Sequence, residues 1–153
     1  MEALAIGSDE VGFDLKVVIQ KYLESMGYPV EDYGVYNTDP VLYPDVAQKV
    51  AEAVASGKHA RGILMCGTGI GMAITANKVP GIRAAVCHDV YSAERARKSN
   101  NCQIMTLGSR IVGEELAKIL VKIWLESDFQ GGGSTPKVAR ITEIEQQYTA
   151  HRE

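Results

Sequence analysis

Short apolar runs and segments with apolar residues every three or four positions alternate along most of the chain. Leu4-Ala5-Ile6-Gly7 gives way to the polar turn Ser8-Asp9-Glu10, and Leu15, Val18, Ile19, Tyr22, Leu23 and Met26 then recur at helical spacing. Gly27 ends that helix and Tyr28 to Tyr33 can form a second strand. Val35 to Tyr43 is irregular, with Asn37, Thr38, Asp39 and Pro40 marking a loop long enough to serve as a lid or a wall. Pro44 suits a helix start, and Val46, Val50, Ala53 and Val54 supply its buried stripe up to Ser56-Gly57. A third strand reads from Gly62 to Met65 and a helix from Ala73 to Lys78, which leaves Cys66 on the turn between them. Ile82 to Cys87, a helix over Tyr91 to Lys98, Gln103 to Leu107 and an amphipathic helix around Leu116, Ile119, Leu120, Ile123 and Trp124 complete the pattern.

Five strands alternating with helices predict an α/β fold: a Rossmann-like, doubly wound, five-stranded parallel sheet filling residues 1–130. Right-handed crossovers bring the strand-to-helix turns to one edge. That edge gathers Asp9, Glu10, Cys66, Thr68, His88, Asp89 and Arg110. The tail, residues 131–153, is set apart by Gly131-Gly132-Gly133, read as a flexible link. Thr135-Pro136 then caps and starts a helix with Val138, Ile141, Ile144 and Tyr148 on one face. It is either a last core helix or a C-terminal helical arm lying on a partner subunit.

Composition narrows the function classes. A net charge of -3 and an isoelectric point near 5.6 give no basic field for nucleic acid, and no apolar run is long enough to cross a membrane. Three cysteines without metal-like pairing, and no charged-then-apolar leader, fit a reducing, cytoplasmic setting. Cys87 and Cys102 read as buried packing, whereas His59 and His151 read as solvated.

The stretch Met65-Cys66-Gly67-Thr68-Gly69-Ile70-Gly71-Met72 concentrates the chemistry. Gly67, Gly69 and Gly71 sacrifice side-chain packing, which is useful where backbone must approach a ligand, and the first amides of a helix have no partners of their own. A thiol in such a loop sees positive potential and becomes a candidate base or nucleophile. The spacing lacks the Gly-Lys-Ser/Thr of a nucleotide-binding P-loop, the dinucleotide fingerprint and the loop arginine of a thiol phosphatase. A cysteine hydrolase with His88 as partner stays open as an alternative, as does a non-catalytic sugar-binding module. Proton transfer next to a carbonyl fits better, with Cys66 as base, Thr68 and the loop amides holding an enediolate, and Asp9 relaying hydroxyl protons. His88 and Asp89 can equally be strand-end and helix-capping groups. Arg110 is either a phosphate or carboxylate ligand or one half of a surface ion pair.

The motifs Gly7-Ser8-Asp9, Tyr43-Pro44, Cys66-Gly67-Thr68-Gly69-Ile70-Gly71, Ala76-Asn77-Lys78, Gly81-Ile82-Arg83-Ala84, Tyr91-Ser92-Ala93 and Leu107-Gly108-Ser109-Arg110 carry a specific resemblance. Over nearly its whole length the chain resembles the ribose-5-phosphate isomerase B family, which includes the galactose-6-phosphate isomerase subunits. The resemblance implies an aldose-ketose isomerase that needs no metal or organic cofactor. It also implies a homodimer, often paired into a tetramer, with sites shared between subunits. By position, Cys66 matches the proton-transferring base and Thr68 with the loop amides the enediolate-stabilising group. Asp9, Tyr43 and Asn100 match sugar-contacting positions, and Arg110 matches a phosphate contact. Asn100 and the basic residues of the tail are expected to reach the site from the second subunit.

Three departures bear on substrate. Glu10 stands where the family commonly has histidine, and Ser99 where it has a ring-opening histidine. Of two tail positions commonly occupied by phosphate-binding arginines, one is Gly133 and the other Lys137. These imply a substrate shifted from ribose 5-phosphate, towards either tetrose 4-phosphates or unphosphorylated and rare aldoses. The run Tyr91-Ser92-Ala93-Glu94-Arg95 with Ser99-Asn100-Asn101 resembles the tetrose-phosphate branch.

Overall fold

The computed structural model describes residues 2–149; His151 lies outside the described residues. The elements alternate as the hydrophobic pattern predicts: β1 (Leu4–Ser8), α1 (Phe13–Ser25), β2 (Val30–Asp32), α2 (Tyr43–Ala55), β3 (Gly62–Cys66), α3 (Ile70–Ala76), β4 (Ala84–Val86), α4 (Val90–Lys98), β5 (Ile104–Gly108) and α5 (Glu114–Leu125). A single 3-10 turn at Gly132–Ser134 leads into α6 (Thr135–Thr149). All pairings are parallel, in the order β2-β1-β3-β5-β4.

β1, β3 and β5 are buried along their whole length because helices cover both faces. One layer packs Ile19 and Leu23 of α1, Ala93 of α4 and Leu120 and Trp124 of α5 against Ile6, Ile63 and Met105. The other packs Val46 and Val50 of α2 and Met72 of α3 against Ala5, Leu64 and Ile104. Cys87 and Cys102 lie inside, and burial pushes their thiols up to about 12 and about 11, which keeps both neutral.

Three details depart from the expectations. α3 begins at Ile70 rather than Ala73, so Gly71 belongs to its first turn. The link at Gly131-Gly132-Gly133 carries a 3-10 turn over Gly132–Ser134, a local geometry the sequence reading did not include. His59 is 2% exposed rather than solvated: Nδ1 lies 2.7 Å from the Ala3 carbonyl and Nε2 2.7 Å from the Tyr33 hydroxyl, tying β1 to the end of β2. Its neighbours Lys58 and Glu31 form an exposed pair above it, and that visible polarity suggested a solvated ring.

Lys16 is the largest departure from an ordinary core. Its side chain is fully buried, and its ammonium donates to both Asp32 oxygens, at 2.7 and 2.9 Å, and to the Val35 carbonyl. The Phe13 and Tyr36 rings flank it at 5.5 and 5.3 Å. Asp32 also accepts from the Gly34 amide, so one buried charge organises the start of the wall segment between β2 and α2. Lys16→Met leaves the partly buried Asp32 without its cation, and we expect a loss of about 3 kcal/mol in urea unfolding. An unchanged midpoint would show that the pair does not hold the wall.

Candidate active site

The chain passes from β1 outward to β2 and then crosses to β3 on the other side, which makes the carboxyl ends of β1 and β3 the switch point of the sheet. Ser8 is paired with Met65, so Asp9 and Cys66 emerge next to each other. Sequence alone had assigned Cys66 to the turn; it is the last residue of β3, with its carbonyl accepting from the Ser109 amide at 2.8 Å.

The loop after Cys66 is laid across the end of β5. Gly67 accepts from the Arg110 amide at 3.0 Å. Gly69 takes a left-handed conformation (φ 76°), and a Cβ there would also meet the Leu107 backbone at 3.0 Å. A Cβ on Gly108 would meet the Thr68 backbone at 2.7 Å, so only glycine lets the strand and loop touch. At Gly71 the Tyr43 ring occupies the place of the missing side chain, which fixes the start of α2 against the loop.

Within this frame the Gly69 amide donates to Cys66 Sγ at 3.1 Å. A proton leaving the thiol therefore leaves its charge on an atom already served by a donor. The Ile70 amide donates to Thr68 Oγ1 at 3.2 Å, which leaves the hydroxyl proton of this exposed threonine for a ligand. Asp9 is 6% exposed and accepts from the Gly12 amide at 2.9 Å. Burial raises its carboxyl above the usual range and nearby Glu10 adds to that, against the lowering effect of the Gly12 bond. A thiol, a free hydroxyl and a carboxyl with a raised pKa thus share one edge.

Glu10 Oε2 accepts from the Val41 amide at 3.1 Å, so its carboxylate is committed to the wall segment. The Arg110 guanidinium lies beside Gly67, with Nη1 3.7 Å from where a Cβ would stand, and makes no ion pair among the described residues. His88 Nε2 accepts from the Gly108 amide at 2.8 Å, which requires that nitrogen unprotonated. Burial lowers its pKa, partly offset by Asp89. His88 Nε2 is thereby engaged at the strand end rather than with Cys66. Asp89 caps α4 by accepting from the Ser92 amide at 2.7 Å.

Ser99, Asn100, Gly133 and Lys137 are not brought to this edge. α4 runs back along the sheet for nine residues, roughly 13 Å, so Ser99 and Asn100 lie near the opposite end. Ser99 Oγ accepts from Arg95 at 3.1 Å, and the Asn100 amide group donates to the Arg95 carbonyl. Lys137 is exposed on α6. Sequence reasoning passed over Thr106, a fully buried residue whose hydroxyl donates to the Gly69 carbonyl at 2.7 Å. Its signal was a lone hydroxyl in the apolar run Ile104-Met105-Thr106-Leu107. Among the described residues no group of three or more His, Cys, Asp or Glu could hold a metal ion, and no helix is long and apolar enough to cross a membrane.

A family model described as Ribose/Galactose Isomerase matches residues 4–141. A D-erythrulose-4-phosphate isomerase of Pectobacterium atrosepticum is 55% identical, over 96% of this chain and 97% of that protein. Ribose-5-phosphate isomerase B of Escherichia coli is 46% identical, over 95% of this chain and 98% of that protein. Among solved structures, ribose-5-phosphate isomerase B of Clostridium thermocellum superposes with a TM-score of 0.94 at 49% identity, covering 95% of this chain and 99% of that one. The Mycoplasma genitalium ribose-5-phosphate isomerase B solved with bound ribulose-5-phosphate gives 0.91 at 33%, covering 95% and 97%.

The environment of Asp9 makes a prediction about stability. With its folded pKa raised, the stability linked to this group is present below the unfolded carboxyl range and is lost as pH rises through the folded value. Asp9→Asn removes the charge and can keep the Gly12 bond through its amide oxygen. We expect it to unfold at higher urea than the parent at pH 7, with the gap closing as pH falls to about 4. Equal midpoints at both pH values would show that burying this carboxylate costs nothing.

Proposed function

The chain belongs to the ribose/galactose isomerase family and is an aldose-ketose isomerase, and from that premise we propose that it works through Cys66 on a tetrose 4-phosphate. Cys66 takes the proton from C2 of the aldose, the C–H electrons form the C1–C2 double bond, and the carbonyl electrons move to O1. The Thr68 hydroxyl proton and the loop amides hold the resulting enediolate. Cys66 returns the proton to C1 while Asp9 moves a proton from O2 to O1, which leaves the carbonyl at C2. The observation that carries this reading is the joint placement of a donor-served thiol, a threonine with a free hydroxyl proton and a protonatable Asp9 at one switch point.

Two observations favour a tetrose 4-phosphate. An aldotetrose with its terminal oxygen phosphorylated cannot close a normal ring, so no ring-opening residue is needed, and Ser99 instead ties itself to Arg95. Arg110 is left without a carboxylate partner among the described residues, while Glu10 turns to Val41, so the edge can still take an anionic group. The 55% identity to a protein named for a tetrose phosphate points the same way. Ribose 5-phosphate is the second reading, supported by the ribose-5-phosphate isomerases among the relatives.

The full site is proposed to form between two copies of the chain, a homodimer that can pair into a tetramer. Asn100 and Lys137 lie away from their own Cys66 edge, and in this reading a second copy supplies them. α6 leaves Ile141, Ile144 and Tyr148 exposed, and α3 leaves Ile70 and Ile74, apolar surface suited to such a contact. The tail thereby serves as an arm, anchored on its own subunit by buried Val138 and by Glu145, which accepts from the Gly81 amide at 3.0 Å.

Incubated with erythrose 4-phosphate in deuterated water, the protein is expected to exchange solvent deuterium at the carbon next to the carbonyl and to yield the ketose. Cys66→Ala should lower that exchange about a thousandfold while still folding. No label with tetrose or pentose phosphates or with unphosphorylated aldoses would leave only the binding-module reading. Truncation after Gly131 should give a monomer in sedimentation with activity lost; an active monomer would contradict the shared site.

A further inference from the structure

We propose that Thr106, whose hydroxyl donates to the Gly69 carbonyl, is the positioning residue that sets the Thr68 hydroxyl for catalysis. The inference rests on the isomerase reading above. The peptide unit between Gly69 and Ile70 has its carbonyl on one side and its N–H on the other, and both are taken. The carbonyl accepts from the Ala73 amide at 3.1 Å and from the buried Thr106 hydroxyl at 2.7 Å. The N–H of the same unit donates to Thr68 Oγ1. Thr106 thus reaches Thr68 through one rigid amide plane.

That link does two things. It orients the plane, because Gly69 in its left-handed conformation has nothing on its own side chain to fix it. It also polarises the plane, since two donors on a carbonyl strengthen the N–H of the same amide as a donor. Thr68 Oγ1 is held as acceptor, and its proton is left as the one free donor to aim at the enediolate. The preceding peptide unit carries the Gly69 N–H that serves Cys66, so the same anchor steadies the sulfur's donor as well. An ordinary core hydroxyl could have satisfied itself on its own helix or strand. Thr106 instead crosses from β5 to the site loop, on the face that α3 covers.

The test is a double-mutant cycle with an independent structural readout. Thr106→Val keeps shape and burial while removing the hydroxyl, and Thr106→Ser restores it. Expected for Thr106→Val is a fall in kcat on the order of tenfold with KM within about twofold; Thr106→Ser should recover most of it. Thr68→Val alone should cost about a hundredfold, and adding Thr106→Val to it should cost nothing further. Full additivity of the two losses, or no recovery in Thr106→Ser, would overturn the proposal. By NMR, the Ile70 amide of Thr106→Val should exchange several times faster with solvent while amides of β3 stay unchanged, and an unaltered Ile70 amide would overturn the proposal as well. The NMR arm needs no turnover. If the parent protein isomerises no sugar phosphate, the isomerase reading fails while the Thr106 link is still decided.

Discussion

The site depends on one close approach, the crossing of the loop after β3 over the carboxyl end of β5. Backbone meets backbone there at a distance no side chain tolerates, at Gly69 against Leu107 and at Gly108 against Thr68. Four tethers hold it: the Ser109 and Arg110 amides onto Cys66 and Gly67, the Thr106 hydroxyl onto Gly69, and His88 on the Gly108 amide. Each is worth about 1 kcal/mol on its own, so no single tether decides whether the chain folds. Together they decide where a sulfur, a hydroxyl and a row of amides point. The glycines are therefore a geometric requirement of the crossing before they are a means of approaching a ligand.

The wall opposite is held by a different kind of force. Lys16 carries a full charge into a space walled by Phe13 and Tyr36, and its pairing with Asp32 offsets a desolvation cost of several kcal/mol. From Asp32 the chain runs past Gly34 and Val35, donates to Glu10 at Val41, and delivers Tyr43 onto Gly71. The wall is thus held by a buried charge at its β2 end and by the Glu10 bond and the Tyr43 ring where it approaches the Cys66 loop.

Much of this was legible in the residues. The alternation of periods, and the glycines around Cys66 and Thr68, required no three-dimensional information, because burial on both faces writes continuous apolar strands and sharp turns into the sequence. Less legible were the residues whose meaning lies in a partner far along the chain. Lys16 drew no reading from the sequence, because its partners Asp32 and Val35 lie sixteen and nineteen residues along the chain. His59 reads as surface because its neighbour Lys58 is surface. Thr106 reads as one tolerated hydroxyl in a strand, and Gly71 as a ligand-binding glycine, because Tyr43 is distant in sequence. Pattern reports which face a residue occupies; it does not report which polar atom waits there.

The placement of Ser99, Asn100 and Lys137 away from Cys66 also separates two tasks. Every group proposed for moving the proton comes from the switch point of one protomer and is fixed by that protomer's own sheet. Groups proposed for choosing the sugar stand at the other end, and the proposed second copy is what brings them to the site. Chemistry that acts only on C1 and C2 is indifferent to chain length, so the near half can stay constant while the far half changes. Ser99 is an instance: its hydroxyl oxygen accepts from Arg95, a contact separate from the bond that serves Cys66 in its loop. A substrate with no ring to open requires a change only where the ring would have been.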